Sequence, residues 1–93
     1  MAESGFEAVL GEEARHLYDL LSGEDQALID AIVRDIEAAP YPDGLTRVQP
    51  APPPELVAVY RHPRWWVLYR FAELGHIVID AIAPPLVPPG ENI

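Results

Sequence analysis

The chain contains no cysteine and no lysine, and only one methionine. Without thiols there can be no disulfide, no thiolate metal ligand and no cysteine nucleophile. Without lysine, every fixed positive charge is one of six arginines, set against fifteen aspartates and glutamates for a net charge of -9. Such a surface repels a phosphate backbone at long range and disfavours non-specific nucleic-acid binding. Long hydrophobic runs are missing too: none approaches the roughly 20 residues that span a bilayer. The opening MAESGFEAVLGEEARH has no basic stretch leading into an apolar one, so a secretory leader is not expected and a cytoplasmic protein is.

What is present is apolar patterning, with 49% hydrophobic residues. A chain of 93 residues suits one domain around one core. The expected division is a single domain over 1–85, with a proline-rich connector at 40–54 inside it, and a proline-rich tail over 86–93. Phe6 to Leu10 alternates weakly before Gly11 and reads as a short strand. Ala14, Leu17, Tyr18 and Leu21 then recur at helical spacing, behind Glu12 and Glu13, where the helix dipole favours acid. Ser22 caps a second helix, with Asp25 three residues on in an approximate capping box. Leu28 or Ile29, Ile32, Val33 and Ile36 form its stripe, and Pro40 and Pro42 stop it. Two helices so tightly joined predict an antiparallel hairpin.

From Glu55 to Pro85 three strands follow, ELVAVYRH, RWWVLYRF and HIVIDAIAPP, with turns at Pro63 and near Glu73 to Gly75. The resulting fold class is α+β: a short N-terminal strand, a helical hairpin and a three-stranded antiparallel meander packed on the helices. Alternation puts Val67, Tyr69 and Phe71 on one side of the sheet and Trp66, Leu68 and Arg70 on the other. An even-length turn at Leu74-Gly75 assigns Ile77, Ile79 and Ala81 to the side of Trp66. Val78 and Ile82 then join Val67, Tyr69 and Phe71 against the helices. The open side, with Trp66, Leu68, Ile77 and Ile79, is apolar enough to predict a partner-binding surface, for another protein or a second copy of the chain. A tail folded back over it, through Leu86 and Val87, is the bland alternative.

The order of elements, and RWWVLYRFAELGHIVIDAI above all, resembles the RelE/ParE superfamily of toxin-antitoxin toxins over roughly residues 6–84. That resemblance implies a protein that cuts mRNA in the ribosomal decoding site or poisons gyrase, held by an antitoxin that wraps it. Carried over by position, the family's strand arginine falls on Trp66 and its basic residues on the preceding strand fall near Val57 and Val59. Its late arginine or histidine and its C-terminal tyrosine meet Ala83, Pro84, Pro85 and Leu86. RNA cleavage needs a base, charge stabilisation at the phosphate and an acid for the leaving oxygen, and none of these positions supplies them.

The available substitutes are Arg61, His62 and Arg64 in a turn, Arg70 on the open side and His76 at the next turn; arginine can steady a phosphate and histidine can move protons near neutral pH. These five are the candidate catalytic residues, with a solvated turn as the alternative reading. Whether the chain is an enzyme therefore stays open at the level of sequence. His16 reads as a surface residue beside Leu17, and the three histidines lie too far apart for a zinc motif. No cofactor is expected. Two functions compete: a toxin acting on translation or gyrase and held by an antitoxin, and a catalytically inactive module that keeps the fold and uses its apolar sheet face to dimerise or bind a protein.

Overall fold

The computed structural model describes residues 6–49, 57–72 and 75–85. Its elements are β1 (Glu7–Leu10), α1 (Glu12–Leu20), α2 (Gly23–Ala38), β2 (Arg47–Val48), β3 (Val57–Arg61), β4 (Trp66–Phe71) and β5 (His76–Ala83). The strands form one sheet in the order β1-β5-β4-β3-β2. Strands β2 to β5 pair antiparallel, and β1 pairs parallel with β5, Glu7 opposite His76 and Leu10 opposite Ile79. The α+β architecture expected from the sequence is present. The parallel pairing and the two-residue β2, inside the expected connector, were not anticipated. The rest of that connector and the tail over 86–93 lie outside the described residues.

Short connections have specific causes. Gly11 sits between β1 and α1 with its N–H on the Ile79 carbonyl at 2.8 Å. A Cβ there would lie 3.0 Å from that same oxygen, so the tight exit from β1 requires glycine. Ser22 caps α2 by accepting the Asp25 N–H at 3.2 Å, as expected. The Asp25 carboxylate, however, is turned away from the cap backbone. Its Oδ1 accepts from the Arg64 guanidinium at 2.6 Å and the Trp65 indole at 3.3 Å, fastening the β3–β4 turn to the start of α2. The two helices meet where Gln26 donates to the Tyr18 carbonyl and the Tyr18 hydroxyl donates to Asp30. Glu37, near the end of α2, accepts the Ala8 N–H at 2.8 Å and so occupies an outward donor of the edge strand β1.

The core lies between the helices and one side of the sheet. Ile29, Ile32 and Ile36 of α2 meet Val67 and Tyr69 of β4 and Ile77, Ile79 and Ile82 of β5, with the small Ala14 and Ala58 where backbones approach. Tyr69 is fully buried at its centre and donates its hydroxyl to the Pro40 carbonyl at 2.6 Å. Burial pushes its pKa up to about 12.

One assignment of faces is corrected. Ile77 and Ile79 have no exposed surface and belong to the helix-side core, and Val78 lies opposite Arg70 on the open side. The cause is the length of the turn, offset further along by a β-bulge. The Ala72 N–H on the His76 carbonyl leaves three residues between the strands rather than two, so Ile77 pairs with Phe71 and Ile79 with Tyr69. Asp80 is then an extra residue in β5, and Ala81, Ile82 and Ala83 pair with Leu68, Val67 and Trp66 on the faces that an even-length turn implies. Gly75, at φ +77°, supplies the left-handed residue of the turn into β5.

Tyr69→Phe should destabilise the protein by about 1–3 kcal/mol, because the buried Pro40 carbonyl loses its donor; denaturant titration at neutral pH measures this. The raised pKa also fixes a sign. The folded state holds the Tyr69 proton more tightly than the unfolded chain, so this contribution is intact below pH 10 and is lost as pH rises toward about 12. In the Phe variant that part of the alkaline loss should be absent.

Candidate functional site

The side of the sheet away from the helices is built from Trp66, Leu68 and Arg70 of β4, the aligned Val57, Val59 and Arg61 of β3, and Val78, Ala81 and Ala83 of β5. Trp65 packs against the helix-side core, so Trp66 must face outward. Trp66 and Leu68 are half-buried there. At the edge, Val9 of β1 is 54% exposed. One charge on this face is matched: Arg70 Nε lies 3.1 Å from Asp80 Oδ1, the carboxylate that the bulge inserts. Arg61, opposite Trp66, donates to the Leu45 carbonyl at 2.7 Å.

Of the five polar candidates, three are neighbours in the chain, Arg61 at the end of β3 and His62 and Arg64 in the β3–β4 turn, but their side chains part: Arg61 reaches the Leu45 carbonyl and Arg64 reaches Asp25 at the start of α2. His62 Nδ1 accepts the Arg64 N–H at 3.0 Å, so the neutral ring carries its proton on Nε2, and the Arg64 side chain is held by Asp25 at 2.6 Å. Arg70 lies four residues along β4, paired with Asp80. His76 is exposed at the far end of the sheet, beside Ala72 and opposite Glu7. Six residues of strand separate Trp66 from Ala72, about 20 Å, so His76 cannot act on one bond with His62. Of the expected partner-binding residues, Trp66 and Leu68 lie on the open face; Ile77 and Ile79 do not.

A cluster the sequence did not suggest centres on Arg47 of β2. Its side chain is 11% exposed and lies 3.1 Å from Asp35 Oδ2 and 3.6 Å from Asp43, with the guanidinium 5.0 Å from the centroid of the Tyr60 ring. The Tyr60 hydroxyl donates to the same Asp35 oxygen at 2.5 Å. Its pKa is raised, first by burial and then by Asp35, so Tyr60 stays protonated at neutral pH. Asp43 receives the N–H groups of Leu45 and Arg47, which hold its carboxyl below the usual range. Gly44, at φ +79°, completes this turn. The signal for it was Pro42-Asp43-Gly44, strong turn chemistry with an arginine four residues after the aspartate.

The cluster borders an open groove of about 510 Å³ between α2 and the end of β3, lined by Leu28, Ala31, Ile32, Arg34, Asp35, Ala38, Tyr60 and His62. A smaller cavity of about 310 Å³ lies beside Tyr41 and Phe71, whose rings stack at 5.4 Å. Chemically, Asp35 and Tyr60 satisfy each other, which leaves neither a free general base nor a free acid at neutral pH. Among the described residues no three His, Asp or Glu side chains converge as a metal site requires. Nor is any described helix long and apolar enough to cross a membrane.

No protein-family model matches the chain, and no curated protein matches it in sequence. A solved structure does match in fold. A chain of the RelBE2 toxin-antitoxin complex of Mycobacterium tuberculosis superimposes with a TM-score of 0.70 at 15% identity, over 86% of this chain and 98% of that one. The chain therefore has the RelE-like fold that its element order implied.

Arg47→Ala should cost about 1–3 kcal/mol, since it strips a charged donor from Asp35 and Asp43. Arg34→Ala, at an exposed position with no bonded partner among the described residues, should stay within about 0.5 kcal/mol. Thermal and denaturant unfolding of the two variants side by side tests that contrast.

Proposed function

We propose that this chain is the toxin-fold member of a toxin-antitoxin-like pair and that it works by gripping a protein through its open sheet face rather than by cutting RNA. One observation carries this reading: the outward arginines of the sheet are engaged within the protein, Arg70 by Asp80 and Arg61 by the Leu45 carbonyl, while Trp66 and Leu68 present apolar surface between them. A phosphate approaching this face meets Arg70 already paired with a carboxylate, Arg61 as the one arginine there without an acidic partner, and an overall charge of -9. A protein meets a tryptophan, the residue type most enriched among binding hot spots. The fold likeness to a chain of a toxin-antitoxin complex supports an antitoxin-like partner; a second copy of the chain is the other occupant of the same chemistry.

Ribosome-dependent mRNA cleavage, or poisoning of gyrase, is the second reading. Its support is the fold and the succession of Arg61, His62 and Arg64 at the end of β3 and in the turn after it. The Arg64 side chain is committed to Asp25, so a phosphate would have to displace that carboxylate.

The deciding experiment is tightly induced expression in a bacterium, with growth, mRNA ends and the mass of the purified complex followed together. Trp66→Ala should abolish partner capture or self-association with the melting temperature unchanged. Joint replacement of Arg61, Arg64 and Arg70 by alanine should leave any growth arrest in place. Arrest accompanied by new mRNA ends and relieved by the triple replacement would overturn the protein-gripping reading in favour of cleavage.

A further inference from the structure

The groove between α2 and the end of β3 is balanced in charge where the whole protein is acidic. Its acid, Asp35, is offset by Arg47 and by the Tyr60 hydroxyl. Arg34 on its rim has no hydrogen bond or ion pair among the described residues, and it sits on α2 rather than on the sheet. His62 contributes a second donor, because its Nδ1 already accepts the Arg64 N–H and the Nε2–H is left over. Tyr60 has spent its proton on Asp35 and offers its ring. The rest of the lining is apolar and small: Leu28, Ala31, Ile32 and Ala38.

Its volume of about 510 Å³ falls within the range of about 300–1,000 Å³ typical of small-molecule sites. One uncompensated guanidinium suits one negative charge. A planar carboxylate can take two parallel bonds from an arginine, whereas a doubly charged phosphate would call for more cation than the groove holds. The apolar residues require a ligand with a hydrocarbon body. We propose that this groove binds a small monocarboxylate with an apolar chain or ring, Arg34 and His62 holding the carboxylate and Leu28, Ala31, Ile32 and Ala38 lying against the body. The site is independent of the open sheet face and of the protein-gripping role assigned to it.

The test is an NMR titration of the full chain with sodium octanoate and, in parallel, with octanamide, which has the same chain and no charge. Octanoate should shift the backbone resonances of Ala31, Arg34, Ala38 and His62 in a saturable way, and octanamide should bind at least about ten-fold more weakly, as expected for loss of a charge-assisted hydrogen bond. Arg34→Ala should weaken octanoate by a similar factor without lowering the melting temperature. Trp66→Ala, which probes the sheet face, should leave octanoate binding untouched. The proposal is overturned if octanamide binds as well as octanoate, if Arg34→Ala has no effect, if shifts appear only around Tyr41 and Phe71, or if binding fails to saturate by about 10 mM, where the free energy is too small to mark a site.

Discussion

The hydrogen bond from Tyr69 to the Pro40 carbonyl is the point through which the layers are joined. It buries a phenol completely, which is tolerable only because its one proton has a partner. That partner is the backbone just past the end of α2, so the central strand of the sheet fixes where the helix must stop. From Pro40 the chain enters the Asp43 turn and reaches β2, whose Arg47 returns to Asp35 on α2. Helix end, turn and edge strand form a closed circuit around Tyr69. The groove along α2 owes its shape to that circuit.

The acidic surplus has a matching logic. Four of the six arginines are spent inside the protein: Arg47 on Asp35 and Asp43, Arg61 on a carbonyl, Arg64 on Asp25 and Arg70 on Asp80. Each ties one part of the chain to another: α2 to β2, β3 to the segment before β2, α2 to the β3–β4 turn, or β4 to β5. Arginine suits this work because its forked guanidinium meets a carboxylate and a carbonyl from the same side chain, as Arg47 does at Asp35. A protein that uses its cations as fasteners has few to present to nucleic acid. This economy favours protein contact over RNA chemistry.

The helices were legible because their signals are local. The spacing of Ile29, Ile32 and Ile36 and the cap at Ser22 can be read within a few residues, and Pro40 marks the end. The face carrying Val67 and Tyr69 was legible for the same reason. Two features were not. The fate of Ile77 and Ile79 hung on a turn of three residues rather than two, offset further along by the extra residue Asp80; alternation alone locates neither, because a bulged strand reads like a regular one in sequence. The Arg47 cluster draws Asp35 from α2, Asp43 from a turn and Tyr60 from β3, so no spacing announces it. Of the candidate polar residues, Arg61, His62 and Arg64 follow one another at the end of β3 and into the turn, with the Arg61 and Arg64 side chains held by different elements. Arg70 and His76 were grouped with them only because strand length was not converted into distance.

The parallel pairing of β1 with β5 has a consequence in time. A chain made from its N-terminus releases Glu7–Leu10 first, yet the strand that pairs with it, His76–Ala83, comes last of all the described elements. The same late strand delivers Ile77, Ile79 and Ile82 to the core. Until it emerges, α2 and β4 can meet each other but the core lacks three of its isoleucines and β1 lacks its partner, and contacts so distant in sequence are slow to form. The core and the sheet of the described residues are therefore completed together, and only when β5 is in place.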